Sequence, residues 1–127
     1  MKHKLTIKWI YAPPEEQDGI RILVDNLWPH GWDQDELGVH HWCQQSAPSS
    51  GLKRQLTKGE LDWKNFARCY RSELHQRPEK VQLLLKSIEQ NNLTLLTAER
   101  DLEQSWVQLL KEQLELWISN GLPPKSF

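Results

Sequence analysis

The stretch Gly19-Ile20-Arg21-Ile22-Leu23-Val24-Asp25-Asn26-Leu27-Trp28-Pro29-His30-Gly31 decides the fold class. Ile20, Ile22, Leu23, Val24 and Leu27 form a short apolar run rich in β-branched side chains, entered from Asp18-Gly19 and left through Pro29 to Gly31. A run this continuous reads as a strand covered on both faces, bounded by turns. Asp25 stands where such a strand would carry another aliphatic. A carboxylate there needs a cation, N–H donors or water, because burying it alone is costly. Two readings are open. Asp25 caps a turn or pairs with Arg21, or it belongs to a site, since ligands in α/β proteins gather beyond the carboxyl ends of strands.

Working outward, Leu5 to Tyr11 alternates well enough for a first strand, closed by Pro13-Pro14. The link to the second strand is shorter than a parallel crossover usually needs, so the two are antiparallel neighbours or are not adjacent in the sheet. Downstream, Asp33 or Asp35 can cap a helix reaching about Gln45, weakened by Gly38. Trp63, Phe66, Ala67, Tyr70 and Leu74 recur at spacings of three and four, which predicts a core helix over 60–75. Pro78 starts the next helix, whose inner face is Val81, Leu84, Leu85 and Ile88, and Leu93 to Thr97 is a further strand. A last helix begins near Asp101, where Asp101-Leu102-Glu103-Gln104 has the form of a capping box, and stops at Gly121. The pattern predicts an α/β fold: a small, mostly parallel sheet flanked by helices in a single, three-layer-like domain over residues 1–122, with 123–127 as a tail.

Tyr11-Ala12-Pro13-Pro14, Asp18-Gly19, Arg21 to Asp25, Leu27-Trp28-Pro29, Gly31, Trp42, Ala47-Pro48-Ser49, Trp63, Phe66, Tyr70, Glu73-Leu74 and Leu95-Leu96 with Asp101 follow one another in order. This set resembles the YeaO-like branch of the bacterial family called domain of unknown function 488. The match covers most of the chain and is most specific at Val24-Asp25-x-Leu27-Trp28-Pro29-x-Gly31 and Ala47-Pro48-Ser49. The resemblance implies a fold but no established activity. Relatives usually carry arginine where this chain has Trp9, Asn26 and His30, and Tyr-Ala-Ala-Lys-Asp in place of Thr97-Ala98-Glu99-Arg100-Asp101, so the site is less basic here. A second branch ends the corresponding strand in Cys-Ala-Glu and continues with Cys-His-Arg. This chain has Thr97 and then Ser105, Trp106 and Val107, so cysteine chemistry is not available at that place, while Glu99 keeps the carboxylate.

The 127 residues suit one domain with a modest core, at 38% hydrophobic and 26% charged. A net charge of −1 and the lack of a dense basic run argue against nucleic acid. With no apolar signal core and no long apolar window, a cytoplasmic location is expected and no membrane association. Cys43 and Cys69, assigned to separate helices without CxxC spacing, are expected to be free thiols. His40, His41 and Cys43 do not have the spacing of a metal site, because adjacent histidines on a helix point about 100° apart. Neither a metal nor a cofactor is expected.

If the two apolar strands are parallel neighbours, their polar ends meet. Asp25, Trp28 and His30 would then join Thr97, Glu99 and Arg100, with residues 28–32 as a rim. Asp25 or Glu99 could act as base, His30 as acid or shuttle, and Arg100 could stabilise negative charge. Arg21, Trp28, Ser49, Thr97, Arg100 and Asp101 complete the binding set, the N–H groups after Ser49 or Asp101 being able to hold an anion. The leading expectation is a pocket for a small polar or anionic metabolite, bound and turned over by acid/base chemistry if it is turned over at all. The alternative is a protein-interaction module, homodimer included, that uses a Trp-rich rim. A DNA-binding regulator comes third, disfavoured by charge.

Overall fold

Four parallel strands carry the chain, in a computed structural model that describes residues 3–120. The expected Gly121 stop and the tail 123–127 lie outside the described residues. The strands are β1 (Leu5–Trp9), β2 (Ile20–Leu23), β3 (His41–Trp42) and β4 (Leu93–Thr97), in the spatial order β1-β4-β2-β3. β4 lies between β1 and β2, paired in parallel with both, from Leu5↔Leu93 to Trp9↔Thr97 and from Ile20↔Leu93 to Leu23↔Leu96. The first two strands are thus parallel and not adjacent. This is how so short a link connects them: it crosses over β4 with only the 3₁₀ turn Glu16–Asp18, where a crossover helix would not fit.

Alternation then divides the sheet into two unlike faces. Leu5, Ile22, Val24, Leu93 and Leu95 face one way and pack with α2 (Ser50–Thr57), α3 (Trp63–Gln76), α4 (Gln82–Gln90) and α5 (Trp106–Ser119) in the main core. The inner stripes of two helices are those the periodicity marks, Phe66, Ala67, Tyr70 and Leu74 on α3 and Val81 with Leu84, Leu85 and Ile88 around α4, and α5 buries Trp106, Leu110, Leu114 and Trp117. Trp63 is the exception. It is the first residue of α3, stacks on Phe66 at 5.3 Å between centroids and is 42% exposed, because it stands one turn beyond the covered part of the stripe.

The opposite face carries a smaller apolar group, Ile10, Leu23, Leu37, Val39 and Leu96, and is covered by loops and the single turn α1 (Gln34–Leu37). Asp33 caps α1 in a capping box with Glu36, as expected, but the helix does not continue to Gln45. Gly38 stops it with a left-handed φ of 63°, and a Cβ there would meet Pro14 Cγ at 2.5 Å. The chain turns back and His41-Trp42 pairs with Ile22 and Leu23, so Cys43 follows a strand and lies in no helix. Cys43 and Cys69 are both free thiols.

Beside this apolar group the second face contains charge. Arg21 is fully buried on β2 and its guanidinium donates to Asp18 Oδ2 (2.7 Å) and to the carbonyls of Ala12, Leu37 and Gly38. Asp18 is buried as well and also accepts from Lys8 Nζ at 2.7 Å. Burial pulls the Asp18 carboxyl upward, but hydrogen bonds from Lys8, the Glu15 N–H and Arg21 outweigh it and hold it below its ordinary value. The network ties the crossover loop and the α1 loop to the sheet. Among the described residues no helix is long and apolar enough to cross a membrane.

Candidate functional site

The chain leaves β2 towards the loop-covered face, through residues 25–40, and leaves β4 towards the helical face, into α5. Because β2 and β4 are hydrogen-bonded neighbours, their carboxyl ends open a crevice between two diverging connections, the position where α/β sheets bind ligands. A cavity of about 280 Å³ occupies it. Asp25, Asn26 and Trp28 come to it from β2, Ala98 and Glu99 from β4, and Lys53 from α2.

Asp25 is the joint of the crevice. Its Oδ1 accepts from the Thr97 hydroxyl (2.6 Å) and its Oδ2 from the Ala98 N–H (2.8 Å), while its carbonyl accepts from Trp42 Nε1 (2.7 Å). Thr97 is fully buried, and its Oγ1 also accepts from the Glu99 N–H at 3.1 Å. Of the partners such a carboxylate needs, donors and not the Arg21 cation are present. N–H and O–H donors from the neighbouring strand satisfy both oxygens, and Arg21 points to the other face of the sheet.

Lys53, which nothing in the sequence singles out, supplies the positive charge. Its Nζ donates to Asn26 Oδ1 at 3.1 Å and stands 5.3 Å from the centre of the Trp106 ring, an indole that also lines the cavity. Lys53 and Glu99 make no ion pair with each other or with any other residue among those described. The only signal for Lys53 would have been its place beside Leu52, the buried residue of α2, since its partner Asn26 is far away in sequence.

The remaining sequence-predicted residues fall elsewhere. Arg21 is locked in the buried network and reaches no ligand surface. His30 and Arg100 are exposed and do not line the cavity, because the turn at Pro29 and the bend after Glu99 carry them past its rim. Ser49 caps α2 by accepting from the Leu52 N–H, and its own N–H and hydroxyl donate to Glu73. Asp101 accepts from the N–H groups of Glu103 and Gln104 in a separate turn, and the cap of α5 is Ser105, through Val107 N–H. α5 therefore starts later than the capping-box pattern suggested. A larger groove of about 570 Å³ lies between α2 and α3, but its carboxylate, Glu73, is the one committed to Ser49.

Around the crevice the carboxyl edge of the sheet is aromatic. Trp9, Tyr11 and Trp32 form a chain of contacts with ring centres 4.8 and 5.5 Å apart, and Trp28 meets Trp42 edge-on at 5.4 Å. Trp9, Trp32 and Trp42 are each 39–47% exposed. Among the described residues no group of three or more His, Cys, Asp or Glu is placed to hold a metal ion.

Residues 4–121 match the family described as the inactive DUF488-N3 subclade. The chain is 32% identical over 107 residues to the uncharacterised protein YeaO of Escherichia coli K12, covering 84% of this chain and 93% of that one. Uncharacterised proteins of Mycobacterium tuberculosis H37Rv and Mycobacterium bovis are each 31% identical over 111 residues, 87% of this chain and 93% of theirs. No solved structure matches the chain. With the family match spanning nearly all of the residues that form the sheet and the crevice, the chain belongs to the DUF488 family, in its DUF488-N3i subclade.

Proposed function

We propose that this protein binds a small polar or anionic metabolite in the crevice between β2 and β4, without turning it over. The observation that carries this reading is the Lys53 ammonium in a cavity at the carboxyl edge, held by Asn26 and Trp106 and without an ion pair among the described residues. An ammonium positioned by protein groups and left without a counter-ion is a ready anchor for an anionic group. Two features speak for binding over catalysis. His30 stands outside the cavity, so the acid/base pair lacks its acid, and Asp25 already accepts from the Thr97 hydroxyl and the Ala98 N–H in a contact that joins the two strands. The family's own description as inactive points the same way.

The test is a thermal-shift screen of small carboxylates and phosphates against the wild type and Lys53→Met. A ligand at about a hundred times its dissociation constant should raise the wild-type melting temperature by about 10 °C. The Lys53→Met protein should remain folded and lose the shift. An equal shift in both proteins would remove Lys53 from the site.

The exposure of Trp9, Trp32 and Trp42 on one edge favours a second reading, in which this rim docks a second copy of the chain. Light scattering over a range of concentrations would detect such a dimer, and Trp32→Ser should dissociate it. A monomer throughout would rule this reading out.

A further inference from the structure

Lys53 and Glu99 carry opposite charges, line one small cavity and form no ion pair with each other, so the cavity presents both a cation and a carboxylate to a ligand. Simple anions satisfy only the first. A molecule that is itself a zwitterion satisfies both, with its carboxylate on Lys53 and the Asn26 amide N–H₂ and its ammonium on Glu99. Asp25 is the weaker acceptor in the same cavity, since the Thr97 hydroxyl and the Ala98 N–H already donate to its two oxygens. The rest of the lining is apolar or aromatic, with Leu27, Pro29, Trp28 and Trp106. The volume of about 280 Å³ corresponds to roughly nine water volumes. We infer that the occupant is a free amino acid with a compact aliphatic side chain, of the size of valine or leucine. This deepens the proposed function and rests on it: the same cavity and the same Lys53 anchor are used, and Glu99 adds selection for the amine.

The experiment is isothermal titration of the full chain with three matched probes: L-leucine, 4-methylpentanoate, which lacks the amine, and 3-methylbutylamine, which lacks the carboxylate. Leucine should bind the wild type, and each truncated probe should bind about tenfold more weakly or worse, since each forfeits one charge-assisted contact. In Glu99→Gln the advantage of leucine over 4-methylpentanoate should disappear while the affinity for 4-methylpentanoate is unchanged. In Lys53→Met both should be lost, with the melting temperature of the free protein close to wild type. If 4-methylpentanoate binds the wild type as tightly as leucine, the amino-acid inference is overturned and the anion pocket stands. If leucine fails to bind while other acids give Lys53-dependent shifts, the inference again falls alone. If no acid of any kind binds, the inference and the proposed function fall together.

Discussion

Two places in this small molecule hold clusters of opposite charge, and they are built on opposite principles. Under the α1 loop, Arg21, Asp18 and Lys8 form a closed network in which the Arg21 guanidinium donates to one carboxylate and three carbonyls. At the carboxyl edge, Lys53 and Glu99 share a cavity and leave each other unpaired. A buried charge whose partners are all internal serves the fold, because its desolvation is offset only by those partners. A charge held at a cavity wall by weak neutral contacts can still neutralise something from outside. The difference separates Arg21, which the sequence offered as a ligand residue, from Lys53, which it did not.

The sharpest break of this comparison is Arg21→Met. It should cost about 3–5 kcal/mol in urea denaturation, since it leaves the buried carbonyls of Leu37 and Gly38 without their donor and deprives Asp18 of a cation. Stability within 1 kcal/mol of wild type would mean that the network is dispensable. Acid and base disturb the same network more gently. The Asp18 carboxyl is held below its ordinary 3.8, so its stabilisation is complete above that pH and is lost as pH falls through its lowered value. The Lys8 ammonium, held above 10.5 by its hydrogen bonds to Asp18 and then Glu15, contributes fully below that pH and is lost as pH rises through its raised value. Denaturant midpoints measured between these limits should be flat on this account, and Asp18→Asn should flatten the acid limb below them.

At the crevice the expected effects are smaller. Asp25→Ala should cost about 1–3 kcal/mol, because the Thr97 hydroxyl and the Ala98 N–H lose their acceptor. Chemical denaturation measures this directly, and a neutral result would show that water replaces the carboxylate. Lys53→Met and Glu99→Gln should each change stability by less than about 1 kcal/mol in the absence of ligand. A larger loss in either would move that residue into the structural class and dissolve the contrast with Arg21.

The sequence by itself determined the elements whose signal is local. Hydrophobic pattern and punctuation placed β2, α3, α4 and β4, because a helix covered on one side repeats its apolar residues at its own period and a strand covered on both faces is a short apolar run between turns. The same reading ran α1 too far and missed β3: one glycine at φ 63° ended the helix, and the two residues of β3 are too few to show a period. It foresaw Asp25 and Glu99 at one edge from the condition that β2 and β4 be parallel neighbours, which they are. Only the tertiary structure decided which charges were free. Arg21 and Asp18 meet at a turn, but their other partners, Lys8 and the Leu37 and Gly38 carbonyls, come from different parts of the chain. Lys53 reaches Asn26 only because α2 packs over the end of β2. Whether a charged side chain ends in a closed network or at an open wall depends on what lies around it in space, and a period along the chain carries no record of that.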